Sequence, residues 1–115
     1  MAAAALVYLA KGSLAQSIGA ASMVLQSTLG TTCTPIANRV EAPCLGNNVM
    51  AASIAISFAN MALAGYAELI PLDEVIETMY TIGKAIPHEF KCNNIAGLCA
   101  TKTAKILEAR LNARN

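Results

Sequence analysis

The sequence is short of aromatic side chains and of charge. It holds no Trp, three Tyr and two Phe, and only 13% of its 115 residues are charged. With so few large rings, apolar surface has to be buried in small pieces, which favours helices packed closely against one another. The low charge, formally +1 net, excludes both a disordered segment and a nucleic-acid binder that works through basic charge. The N-terminus lacks the charged opening, apolar stretch and cleavage site of a secretory signal. A reducing, cytoplasmic setting is therefore expected, with the four cysteines free or metal-bound rather than disulfide-linked. What is abundant is apolar: 56% of the residues are hydrophobic, enough at this length for one domain but not for two.

Charge is also unevenly placed. Only Lys11, Arg39 and Glu41 fall in the first 67 residues, and residues 12–38 and 42–67 carry none. Length alone would allow two membrane spans there. The content argues against them: Ser13, Gln16, Ser17, Ser22, Gln26 and Ser27 punctuate the first stretch, and Pro43, Gly46, Asn47 and Asn48 open the second. No Lys/Arg cluster or aromatic belt flanks either stretch, so no membrane association is expected.

Periodicity and punctuation give an all-α class with about five helices. The first runs from Met1 to about Ala10 and stops at Lys11-Gly12; Ser13 caps a second from Leu14 to about Leu29, ended by Gly30. Asn47 or Asn48 caps a third, from about Val49 to Ala64, apolar on almost every side and so expected as the central helix of a larger protein, with apolar surface left uncovered by the few short helices of this chain. Pro71 opens a fourth, to about Lys84, with Leu72, Val75, Ile76 and Met79 as its apolar stripe, and Thr101 caps the last. No repeat, linker or domain boundary divides the chain.

Between the second and third helices, residues 31–46 are read as an irregular loop interrupted by Pro35, Pro43 and Gly46. It contains Cys33 and Cys44, with Asn38, Arg39 and Glu41 between them. A polar segment held among buried helices must satisfy its backbone groups, and a bound ligand or metal is one way to do so. The Cys-x10-Cys spacing names no metal: it is neither the close pair of a zinc site nor the tight run of a bacterial ferredoxin. Two buried free thiols, a metal or cluster site, and a catalytic thiol paired with His88 all remain open on the residues alone. His88 itself, in a charged stretch with Glu89 and Lys91, reads as solvated.

Read together, several blocks resemble a known family. They are Met1-Ala-Ala-Ala-Ala-Leu, Cys33-Thr-Pro-Ile-Ala-Asn-Arg-Val-Glu-Ala-Pro-Cys44, Asn48-Val-Met-Ala-Ala, Met61-Ala-Leu-Ala-Gly65, Ile70-Pro-Leu-Asp-Glu-Val-Ile-Glu-Thr-Met-Tyr80 and Gly97-Leu-Cys-Ala-Thr-Lys-Thr103. In order and spacing they look like the C-terminal part of the α chain of iron–sulfur L-serine dehydratase. The resemblance implies a [4Fe–4S] cluster on three cysteines, with one iron open to the substrate and no pyridoxal phosphate. The open iron would act as a Lewis acid on the hydroxyl and carboxylate of serine, and loss of the α-proton and hydroxide would lead to pyruvate and ammonia. Cys33 and Cys44 match the family's last two ligand positions.

The chain departs from the family pattern at Thr34, at Asn38-Arg39 and at Asn47-Asn48. Arg39, Asn38 and Asn48 are the candidate substrate-binding residues, for L-serine or a close relative; Arg39 could clamp a carboxylate or pair with Glu41. The family's third cysteine ligand lies upstream of the block that opens here at Met1. The chain is therefore expected to be a partial domain that associates with a missing N-terminal α segment, a β chain or a second copy. Cys92 or Cys99 could stand in as a ligand. The competing expectation is a non-catalytic helical assembly module, a truncated relative that binds no cluster.

Overall fold

The structure, a computed structural model, describes residues 1–37, 39, 42–93 and 95–114, with the side chains of Ala42 and Pro43 left aside. Its elements are α1 (Ala2–Leu9), α2 (Leu14–Ser27), α3 (Ala42–Leu63), α4 (Leu72–Ala85), two short 3-10 turns (His88–Phe90 and Gly97–Ala100) and α5 (Lys102–Asn112). The all-α class holds: among the described residues the one β pairing is an isolated antiparallel bridge between Ile36 and Arg39. No helix among them is long and apolar enough to cross a membrane.

The chain divides into two compact units, one of Met1–Gly30 with Val49–Lys84 and the other of Thr31–Asn48 with Ala85–Asn115. The first has a core of small side chains, as the scarcity of aromatics dictates. Ala3 and Val7 of α1, Ala20 and Met23 of α2, and Ala55, Ala59 and Ala62 of α3 pack together, with Val24, Phe58 and Leu63 against them. α2 starts where the sequence places it: the Ser13 side chain accepts from Gln16 N, and the Gln16 side chain accepts in turn from Ser13 N, a capping box. Gln16 also donates to the Ala62 carbonyl at 2.9 Å, and Ser22 donates to the Ile70 carbonyl at 2.9 Å.

Two expectations need correction. α3 begins at Ala42 rather than near Val49, so Cys44 lies in its first turn and Cys33 alone is in the loop. Pro43 reads in sequence as a breaker, but the first turn is where a helix tolerates proline, since its missing N–H would have no intrahelical partner there. α3 leaves apolar surface uncovered, as expected of such a helix with few short neighbours: among its described residues Ala55, Ala59 and Ala62 are buried, while Val49, Met50, Ile56 and Met61 are exposed. On α4 the buried residue is Val75, flanked by half-buried Leu72, Met79 and Ile82, whereas Ile76 is exposed.

α1 ends in a Schellman motif: Gly12 N donates to the Val7 carbonyl (2.9 Å) and Lys11 N to the Tyr8 carbonyl (2.9 Å). The residue in the left-handed region is Lys11, at φ 61°, and not the adjacent glycine. α3 ends the same way, but with Gly65 at that position, at φ 88°. Lys11→Gly is therefore expected to stabilise the chain by about 1 kcal/mol by removing a Cβ from a left-handed backbone. The check is a higher urea midpoint at unchanged slope; an unchanged midpoint contradicts it.

Candidate functional site

All four cysteines belong to the second unit. Cys33 is half-buried on the segment that leaves α2, next to buried Thr34 and Pro35. The chain then turns tightly, with Ile36 and Arg39 exchanging both backbone hydrogen bonds (3.0 and 2.9 Å) and Ala37 at φ 53°. Cys44 follows as the third residue of α3, half-buried, at a helix end whose free N–H groups favour negative charge. Cys92 comes from the irregular stretch after α4.

That stretch is braced by its own backbone and by one side chain. Lys91 N donates to the His88 carbonyl (3.0 Å) and Ala96 N to the Glu89 carbonyl (3.1 Å). Asn93, the neighbour of Cys92, donates from Nδ2 to the same His88 carbonyl and accepts at Oδ1 from Ile95 N. The exposed Cys92 thiol is thereby carried to Cys33, whose Sγ donates to Cys92 Sγ at 2.9 Å across 59 positions of sequence. Asn93→Ala is expected to loosen this brace by about 1 kcal/mol. Amide exchange at Ile95 should then speed by about fivefold, and an unaltered rate would count against the brace.

Cys33 is pushed up to about 11, first because its proton is shared with Cys92, then by desolvation and by the two neighbouring sulfurs, Cys92 and Cys44. Both neighbouring sulfurs thus act on the Cys33 thiol. Cys99 is not among them: it is buried in the second 3-10 turn, and its Sγ donates to the Ala96 carbonyl at 2.7 Å. Arg39 and Asn48 are exposed. Asn38 lies outside the described residues, as does Glu41, the partner considered for Arg39. His88 is exposed, as expected of a solvated histidine.

The approach of Cys92 to Cys33 carries no sequence signal, because nothing in the spacing of two cysteines so far apart predicts contact. A second feature without one is Glu68 in the first unit. It borders a cleft of about 340 Å³ with Gln16, Gly19, Ala62, Gly65 and Tyr66. Among the described residues, its Oε2 is buried without a hydrogen-bond partner.

A family model described as serine dehydratase alpha chain matches residues 1–99. The chain belongs to that family. It is 45% identical over 111 residues to the probable L-serine dehydratase alpha chain of Bacillus subtilis (strain 168), which covers 96% of this chain and 37% of that protein. It is 37% identical over 105 residues to the L-serine dehydratase alpha chain of Peptoniphilus asaccharolyticus, covering 91% of this chain and 36% of that protein. To L-serine dehydratase 1 of Escherichia coli (strain K12) it is 41% identical over 99 residues, or 85% of this chain and 22% of that one. This serine dehydratase family chain thus spans between about a fifth and a little over a third of the length of these three relatives. No solved structure matches it. The resemblance read from the blocks of sequence is borne out, and the relatives carry the name of a lyase.

Proposed function

We propose that this chain supplies part of an L-serine ammonia-lyase site, in which Cys33 and Cys44 are two thiolate ligands of a [4Fe–4S] cluster. What supports this is their gathering in one unit, eleven positions apart in sequence, with Cys44 close enough to act on the Cys33 thiol. The donor set is chemically apt, since soft thiolates are the ligands that iron–sulfur clusters take. Among the described residues, no three or more Cys, His, Asp or Glu side chains are grouped to hold a single metal ion. A cluster asks something different, because each thiolate binds a separate iron and the sulfurs surround the group instead of converging on a point.

When bound, such a cluster supplies a Lewis-acidic iron for the hydroxyl and carboxylate of serine. The chain's own parts are to hold it and to orient the substrate. Among the described residues the side chains that act on Cys33 are thiols, which favour its protonated form, and metal coordination is the influence that removes such a proton. Arg39, exposed beside the turn that follows Cys33, is suited to grip a substrate carboxylate with two parallel N–H bonds, while Asn38 and Asn48 offer amides to its polar groups. Further polypeptide completes the site: an α segment, a β chain or a second copy. The exposed Leu9, Leu14, Val49 and Ile56 provide apolar surface for such association.

The test is anaerobic reconstitution with iron and sulfide, followed by the charge-transfer absorbance and spin resonance of a cluster. Pyruvate release from L-serine is then measured with the chain alone and with a family β chain added. A colourless chain that retains no iron would overturn the proposal.

A further inference from the structure

We infer that Cys33 and Cys92 form a thiol-oxidation site, which a peroxide converts into a disulfide within one chain. The inference goes beyond the lyase reading, and only its consequence for iron rests on that reading. The two sulfurs stand 2.9 Å apart, so forming a bond of about 2.05 Å asks for a movement of less than about 1 Å. The two side chains already face each other, since the sulfurs lie within hydrogen-bond distance. Cys92 is exposed, on a stretch held by short turns and not by a helix, so an oxidant can reach it and its backbone can follow the closing pair. The other two thiols are placed differently: Cys44 is fixed in the first turn of α3, and Cys99 is buried against the Ala96 carbonyl.

The chemistry is two-electron oxidation with hydrogen peroxide as the oxidant. The Cys92 thiol attacks one peroxide oxygen, the O–O bond breaks, and Cys92 becomes a sulfenic acid with loss of one water. Cys33 sulfur then attacks Cys92 sulfur, the S–O bond breaks, and the thiol proton leaves with the hydroxyl as a second water. Two thiols lose two protons and two electrons in all, and one peroxide becomes two waters. In a reducing compartment such a bond is transient and reopened by a thiol reductant, the behaviour of a modification site and not of a structural bridge. Because Cys33 is one of the two thiols assigned to the cluster, the oxidised chain is unable to offer it to iron.

The experiment takes the reduced 115-residue chain, treats it anaerobically with a small excess of hydrogen peroxide, alkylates the remaining thiols and digests it with trypsin. Cleavage separates Cys33 (residues 12–39) from Cys44 (residues 40–84) and from Cys92 with Cys99 (residues 92–102). The expected result is an intact mass, taken before alkylation, lower by about 2 Da, a linked pair of peptides 12–39 and 92–102 joined through Cys92 on fragmentation, and full reversal by dithiothreitol. Cys92→Ser, at an exposed position, should keep its helical circular dichroism and lose the link. A Cys33–Cys44 link, a link through Cys99, a disulfide between chains, or Cys92 oxidised further without any link would each overturn the inference. In a second arm the reduced and the oxidised chain are reconstituted with iron and sulfide, and at least tenfold less iron is expected on the oxidised one. If the mapped disulfide forms but iron uptake is equal, the cluster assignment of Cys33 fails and the oxidation site stands; if the reduced chain takes iron but no disulfide forms, the reverse holds.

Discussion

Gly12→Ala is expected to lower the thermal midpoint of the chain by about 10 °C, the shift that a loss of about 2–3 kcal/mol produces at this size. A Cβ at position 12 would stand 2.5 Å from Val7 Cγ1, 2.9 Å from Leu63 Cδ2 and 3.1 Å from the Val7 carbonyl oxygen. Leu63 can move the end of its side chain. Val7 has no such freedom: it is fully buried in the core, β-branched within a helix, and its carbonyl is tied to Gly12 N at 2.9 Å. The clash is therefore relieved only by shifting α1 or the turn that follows it, which disturbs packing against Ala20, Met23 and Ala59. The double variant Val7→Ala/Gly12→Ala should show a clear favourable coupling, because the methyl that clashes has been removed. Additive losses, or a Gly12→Ala midpoint within about 2 °C of the parent, would show that the glycine is not there for want of space. Lys11→Gly, one residue earlier, is expected to act in the opposite direction. Thus the stop signal Lys11-Gly12 divides its work: conformational strain is carried by the lysine and close packing by the glycine.

How far the sequence could be read follows the range of the forces involved. Ser13 with Gln16, and Thr101 with Ala104, are caps closed within three residues, and both form where the local pattern puts them. Asp73 and Glu74 open α4 and Lys84 closes it, matching the helix dipole. The start of α3 lies about two turns before the expected one because Pro43 and Gly46 have two meanings, and only the surrounding structure chooses between breaker and early-helix residue. The uniform apolarity of α3 in so short a chain predicts apolar surface left uncovered, and its exposed Val49, Ile56 and Met61 agree: composition reports what a helix could bury, and chain length how much is present to cover it. At the site, Cys33 and Cys44 were visible as a pair within one segment. Cys92 was not, since contact across 59 positions depends on how the stretch after α4 is braced by Asn93.

Cys44→Ser and Cys33→Ser are each expected to cut iron retained after anaerobic reconstitution by at least tenfold, about 1.4 kcal/mol or more of binding free energy. Serine preserves the size of the side chain but replaces a soft sulfur donor with a hydroxyl that keeps its proton and binds iron–sulfur clusters poorly. The fold should tolerate either change, because both thiols are half-buried and the hydrophobic core of the other unit holds no cysteine. Circular dichroism and a midpoint close to the parent's would establish that. Cys99→Ser is the matched control: Cys99 is more deeply buried, yet its sulfur is engaged with the Ala96 carbonyl and apart from the trio, so iron uptake should stay at the parent level. Loss of iron in Cys99→Ser alone would move the ligand set to the second 3-10 turn. Parent-level iron in both Cys33→Ser and Cys44→Ser would remove this chain from the cluster altogether and leave a helical assembly module of the serine dehydratase family. The size of the effect distinguishes these cases from ordinary destabilisation, because a merely structural thiol would change the melting midpoint and leave the iron content per folded chain unaltered.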